Sequence, residues 1–273
     1  MVLAGNSQDY QKVTLPENYS AKIDLIYIEH GHWKGKMDFY FPIDREEAAP
    51  VLINIHGGGW NHGVKESQRG FGSFFKRGMA VANVEYRLES QAKAPAAVED
   101  IRSSISYLIS NAGELNIDVD KIIVMGASAG GHLALMAGLS QNNTLFGRNN
   151  DGRDPVGIFA VIDKYGITDL IPLMSGSSVK KWLGPNSDDL DFARSMSPIS
   201  LVDGSSPPVF IVHGDTDPIV PYTQSQVLFD KLQSFNVKSR FITVKGGGHG
   251  KFQESDKKWV NQEIHNFLEE LGL

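Results

Sequence analysis

Six short runs of almost unbroken apolar residues, spread along the chain, restrict its fold more than any other feature. They occupy residues 51–55 (VLINI), 79–84 (MAVANV), 121–125 (KIIVM), 158–162 (IFAVI), 209–212 (VFIV) and 240–244 (RFITV). A strand buried on one face alternates apolar with polar residues, whereas an unbroken run suits a strand buried on both, as in a parallel sheet covered by helices. The stretches between carry the matching signal. Residues 96–111 place Val98, Ile101, Ile105, Leu108 and Ile109 on one side of a helix, and 129–139 are rich in Ala, Leu and Met. Helical spacing returns in 222–235 (Val227, Leu228, Leu232, Phe235) and 259–271 (Ile264, Phe267, Leu268, Leu271). Ahead of these, 22–29 and 36–41 alternate partially and read as paired antiparallel strands. The pattern predicts one α/β domain over residues 1–273: a mixed, mostly parallel sheet of about eight strands with helices on both faces.

Two stretches break the rhythm. Residues 141–155 are polar and Gly-rich, as expected of a surface loop. Residues 170–208 carry Gly, Ser and Pro breakers and read as a small cap-like insertion placed to form part of a pocket. At 273 residues the chain is long enough to bury a large single core. Its net charge of −6, without a long run of either sign, argues against a nucleic-acid partner, which needs clustered Lys and Arg. There is no cysteine, which removes disulfides, thiolate nucleophiles and sulfur-ligated zinc together. No stretch reaches the ~20 apolar residues of a membrane span, and the opening residues lack the basic and apolar regions of a signal peptide. The chain therefore reads as soluble and cytoplasmic, with export left open should a leader have been removed. Its oligomeric state is not legible.

Chemistry enters at Gly126-Ala-Ser-Ala-Gly130, which follows one apolar run and opens the helical stretch at Ala129. Gly-x-Ser-x-Gly between a strand and a helix holds a serine on a tight turn with its hydroxyl exposed, making Ser128 a candidate nucleophile. The helix N-terminus directs free N–H groups toward developing negative charge. A second glycine cluster, His56-Gly-Gly-Gly-Trp60, follows the run VLINI. Acyl transfer needs backbone N–H donors aimed at one oxyanion, and residues without side chains let the main chain approach closely. Gly58, Gly59 and Ala129 are the expected donors.

A serine needs a base. Of eight histidines, His56 is committed beside its glycines, His132 lies one helical turn beyond Ser128, and His30, His32 and His62 precede the nucleophile. His213 ends a strand, and His265 is expected on the surface of the last helix. His249 remains, in a glycine-rich loop after the last strand, where it satisfies the order serine, acid, histidine. The acid then falls in His213-Gly-Asp-Thr-Asp217-Pro. Asp215 is placed to bond turn amides. Asp217, extended by the following Pro218, is placed to orient the imidazole and is preferred. Two decoys are set aside. Gly246–Phe252 lacks the spacing and the Ser or Thr of a phosphate loop, and Asn149–Asp154 lacks the closing carboxylate of a calcium loop.

GASAGGH (126–132), HGGGW (56–60), VEYRL (84–88) and HGDTDPIVP (213–221) resemble bacterial esterases of the α/β-hydrolase fold, the group that includes feruloyl and acetylxylan esterases. The resemblance runs from about Lys22 to the C-terminal helix. It implies a triad of Ser128, Asp217 and His249, no metal or organic cofactor, and a small-molecule or carbohydrate ester as substrate. Trp60 and Trp182 are candidate substrate contacts, because aromatic rings stack on sugars and phenolic acids. An aminoacyl peptidase or arylformamidase on the same fold and triad is the competing expectation. A binding protein that had lost catalysis would lack a triad member.

Overall fold

The computed structural model describes residues 13–140 and 157–273. The polar stretch 141–155 and the rejected calcium-like loop lie outside the described residues. Each apolar run is a strand. In chain order the elements are β1 (Tyr19–His30), β2 (Trp33–Pro42), β3 (Ala49–Ile55), α1 (Gly72–Phe75), β4 (Ala80–Val84), α2 (Ala96–Ser110), α3 (Ala112–Leu115), β5 (Ile117–Ala127) and α4 (Ala129–Leu139). They continue with β6 (Ala160–Lys164), α5 (Ser177–Leu183), α6 (Leu190–Ser195), β7 (Val209–Gly214), α7 (Thr223–Ser234), β8 (Ser239–Val244) and α8 (Glu254–Glu270). The eight strands form one sheet in the order β1-β2-β4-β3-β5-β6-β7-β8. β1 pairs antiparallel with β2 and β2 with β4, and every later pairing is parallel. This is the mixed, mostly parallel sheet that the apolar runs predict.

The two-residue period of a strand divides the core. Val51, Ile53 and Ile55 of β3 face one side of the sheet and pack with Val98, Ile101 and Leu108 of α2, Leu133 and Met136 of α4, and Leu228 of α7. Leu52 faces the other side, with Val81, Ile123 and Phe210, under Phe74 and Phe75 of α1 and Ile264, Phe267 and Leu268 of α8. α4 is buried along its whole length, which its small residues permit. His265 corrects an expectation. It is 2% exposed and packs against Phe74 with ring centroids 4.8 Å apart. Position 265 adjoins the stripe of Ile264 and Leu268, and α1 covers that flank.

The stretch 170–208 folds as α5, α6 and three single 3-10 turns on the side of the sheet where the parallel strands end. Asp189 caps α6 by accepting the N–H groups of Asp191 and Phe192. No helix among the described residues is long and apolar enough to cross a membrane.

Candidate active site

β5 runs into α4 through one residue. Ser128 stands between them at φ +58° and ψ −124°, a conformation that residues bearing a Cβ rarely adopt. Its amide donates to Lys164 O (2.9 Å) and its carbonyl accepts from His132 N (3.0 Å), fixing the turn to β6 and to the helix. The flanking glycines make the turn possible. A Cβ at Gly126 would lie 2.0 Å from Gly130 O, and one at Gly130 would lie 2.3 Å from Ile55 O. The motif is thus a packing requirement as well as a signature.

Two loops from neighbouring strands reach over this turn. After β8, His249 brings its Nε2 to 2.8 Å from Ser128 Oγ, and its Nδ1 lies 2.6 Å from Asp217 Oδ2 in the loop after β7. Asp217 Oδ1 accepts the N–H groups of Ile219 (2.8 Å) and Val220 (3.0 Å). Burial pushes the Asp217 carboxyl upward, but these two amides and the imidazole outweigh it and hold the group below the usual carboxylate range. An ionised carboxylate only accepts, so His249 carries its proton on Nδ1 and offers the Nε2 lone pair to the serine hydroxyl. Asp215 does not join this chain. Its Oδ1 accepts Gly246 N at 2.6 Å, tying the two loops together.

The glycine loop after β3 lies alongside. A Cβ at Gly57 would be 3.4 Å from Ser128 Cβ, so this backbone passes directly beside the serine. Gly58 (φ +118°), Gly59 (φ +55°) and Trp60 (φ +59°) all take positive φ. The turn is closed by Asn61 N and His62 N, both donating to Gly58 O at 3.1 Å. The amides of Gly58, Gly59 and Ala129 have no acceptor among the described residues. His56 has the structural place expected of it. It is buried, its Nδ1 donates to Gly57 O (2.8 Å), its ring stacks on Tyr86 at 4.3 Å, and burial lowers its pKa to about 4.

These groups border a cavity of about 640 Å³, within the ordinary range for a small-molecule site. One wall is the insertion, through Pro172, Leu173 and residues 175–179; Ile167, Tyr165, Ile219, Val220 and His62 complete it. Ser175, Ser177 and Ser178 bring three hydroxyls to this wall, the first two from exposed positions. Tyr165 sets its ring edge-on to His249 at 4.9 Å. No sequence motif singles out Tyr165, although its place just after β6, at the carboxyl edge of a parallel strand, is where such folds bind ligands.

The two tryptophans stand differently toward this cavity. Trp60 and Trp182 stack on each other with ring centroids 4.7 Å apart, and His132 meets both edge-on at 5.0 Å. Trp60, 1% exposed, lines the cavity, whereas Trp182, at 0%, does not. Trp60 thus keeps its place beside the space a ligand would fill, and Trp182 backs it from behind. His132 is likewise buried, its Nε2 donating to Met196 O (2.9 Å), so it braces α4 against the insertion.

The profile of the BD-FAE family matches residues 37–232. Among curated relatives, Esterase LipC of Mycobacterium tuberculosis is 26% identical over 217 residues, covering 74% of this chain and 53% of its own length. Esterase LipQ of the same organism is 29% identical over 197 residues, 68% of this chain and 46% of its own. The chain thus spans about half the length of the curated relatives it matches. Among solved structures, a truncated form of a carbohydrate esterase from gut microbiota superposes with a TM-score of 0.82 at 27% identity, covering 96% of this chain and 100% of that one.

Proposed function

The chain belongs to the BD-FAE family, and from that premise and the geometry of its cavity we propose a serine carboxylic-ester hydrolase working through an acyl-enzyme on short-chain or carbohydrate-linked esters. One observation carries the reading. An unbroken hydrogen-bonded chain runs from Ser128, on the cavity wall beside Gly58 and Gly59, through His249 to Asp217.

Ser128 Oγ attacks the ester carbonyl carbon while His249 Nε2 takes its proton. The carbonyl oxygen becomes an oxyanion held by the N–H groups of Gly58, Gly59 and Ala129, and each such donor contributes ~3–4 kcal/mol in the transition state. Asp217 stabilises the imidazolium formed in that step. His249 then protonates the leaving alcohol as the carbon–oxygen bond breaks. Water, deprotonated by His249, attacks the acyl-enzyme and releases the acid, returning Ser128 to its starting state.

The carbohydrate-linked reading draws support from the serine hydroxyls of the insertion wall, which suit a polyhydroxylated alcohol. It also draws on the neighbour described as a carbohydrate esterase. Reaction with a fluorophosphonate followed by peptide mapping tests the mechanism, with a single adduct at Ser128 expected. A panel of acetyl, butyryl, octanoyl and feruloyl esters beside matched amides and formamides tests the substrate. Faster turnover of the amides or formamides would replace the esterase reading with the peptidase or formamidase one.

A further inference from the structure

His213 is fully buried at the end of β7 and takes no part in the proton transfers described above. Its surroundings are nevertheless specific. Nε2 lies 3.1 Å from Val220 O and 3.2 Å from Asp217 Oδ2, the oxygen that also accepts from His249 Nδ1. Nδ1 lies 2.7 Å from the hydroxyl of Ser225, itself fully buried on α7. A peptide carbonyl can only accept, so the His213 proton resides on Nε2. That N–H is shared between the carbonyl and the carboxylate. The bare Nδ1 then accepts the Ser225 hydroxyl proton.

We infer that His213, held in its Nε2–H tautomer by Ser225, is a positioning residue that donates to Asp217 and so sets how strongly the acid polarises His249. The inference rests on the proposed roles of Ser128, His249 and Asp217. Burial lowers the pKa of His213, which keeps this donor neutral. The titratable groups packed around it are Asp217 and His249 from the two loops, Tyr165 at 6.4 Å from the end of β6, and Tyr222 at 5.7 Å ahead of α7. A neutral N–H on the carboxylate draws off part of its charge. Without it, Asp217 binds the imidazolium form of His249 more tightly, and His249 stays protonated to higher pH.

The pH dependence of kcat/KM separates this role from mere packing. His213→Leu, which deletes the donor, is expected to move the acid limb upward by about half a pH unit or more. Its plateau should fall about tenfold, through kcat rather than KM. His213→Gln, whose amide nitrogen can occupy the Nε2 position, should restore the wild-type limb. Ser225→Ala should move the limb in the same direction as His213→Leu. Nitrogen-15 NMR of the unmodified protein, with His213 assigned by its loss in the Gln variant, should show an Nε2–H imidazole. This arm needs only the Gln variant to fold and stands whether or not the Leu and Ala variants do. An Nδ1–H tautomer, or a Leu variant whose limb stays in place, overturns the inference. Failure of a fluorophosphonate to label Ser128 would overturn the esterase reading instead. Labelling with an unmoved limb removes only the role of His213.

Discussion

Ser128 holds a backbone conformation that glycine would adopt without strain, at a cost of about 1–3 kcal/mol for a residue with a side chain. Its hydroxyl contributes little packing, so function and stability conflict at this residue. Ser128→Gly is expected to abolish ester turnover while raising the melting temperature. A variant that melts lower and keeps its activity would contradict both halves of that statement. The two aspartates of the β7 loop divide differently. Asp217→Asn should lower kcat ~10²–10⁴-fold with little change in KM, because an amide cannot fix and stabilise the imidazolium as a carboxylate does. Asp215 bridges to Gly246, so Asp215→Asn should act through stability, read by urea unfolding. An inactive but fully stable Asp215 variant would exchange the two roles. The residues of the proposed triad and glycine loop could be picked out because their backbone demands glycine neighbours or a following proline, and such demands are written in residue types. The packing of Trp182 behind Trp60 could not, since an indole in a short helix carries no record of which side it will face.

Among the elements, the central strands were legible because burial on both faces leaves no polar register to break the apolar run. α1, α3, α5 and α6 escaped, being too short to show a helical period. The packing of α1 on α8 carries a pH signature that neither helix shows alone. His265 lies between them, and neither ring nitrogen has a hydrogen-bond partner. Burial, followed by the nearby Arg77, lowers its pKa to about 4, against about 6.5 in an unfolded chain. Unfolding therefore takes up a proton between those values, and the stability contributed by neutral His265 is lost as pH falls through that window. His265→Phe keeps a ring against Phe74 and removes the proton uptake. The variant should gain stability relative to wild type as pH drops, on the order of 1–2 kcal/mol more at pH 5 than at pH 8. Urea unfolding at the two pH values reads this directly, and equal differences at both would show that His265 is not neutral in the fold.

At the scale of the whole molecule, the sheet delivers three loops to one edge and the insertion closes the cavity from the opposite side, a division that fixes which substrates fit. Residues 170–208 break the rhythm of the sequence, but their contribution of Leu173, Ser177, Ser178 and Val179 to the wall depends on how α5 packs, which periodicity does not encode. α5 is held down by Trp182, whose ring lies on Trp60 of the glycine loop and against His132 of α4. This three-ring cluster is a floor behind the Ser128 turn, and among the described residues no long apolar helix stands over the site as a lid. An acyl chain laid along the Ser175–Ser178 wall would meet hydroxyls, which suit methylene groups poorly. Specificity constants are therefore expected to be highest for acetyl esters and to fall through butyryl to octanoyl, measured on one leaving group under one condition. Trp182→Ala should lower stability by ~3–5 kcal/mol, as for other buried aromatic truncations, and flatten the chain-length preference by opening the floor. A steady rise from acetyl to octanoyl in the wild-type enzyme would mean that the acyl group leaves the cavity by a route other than the one the floor blocks.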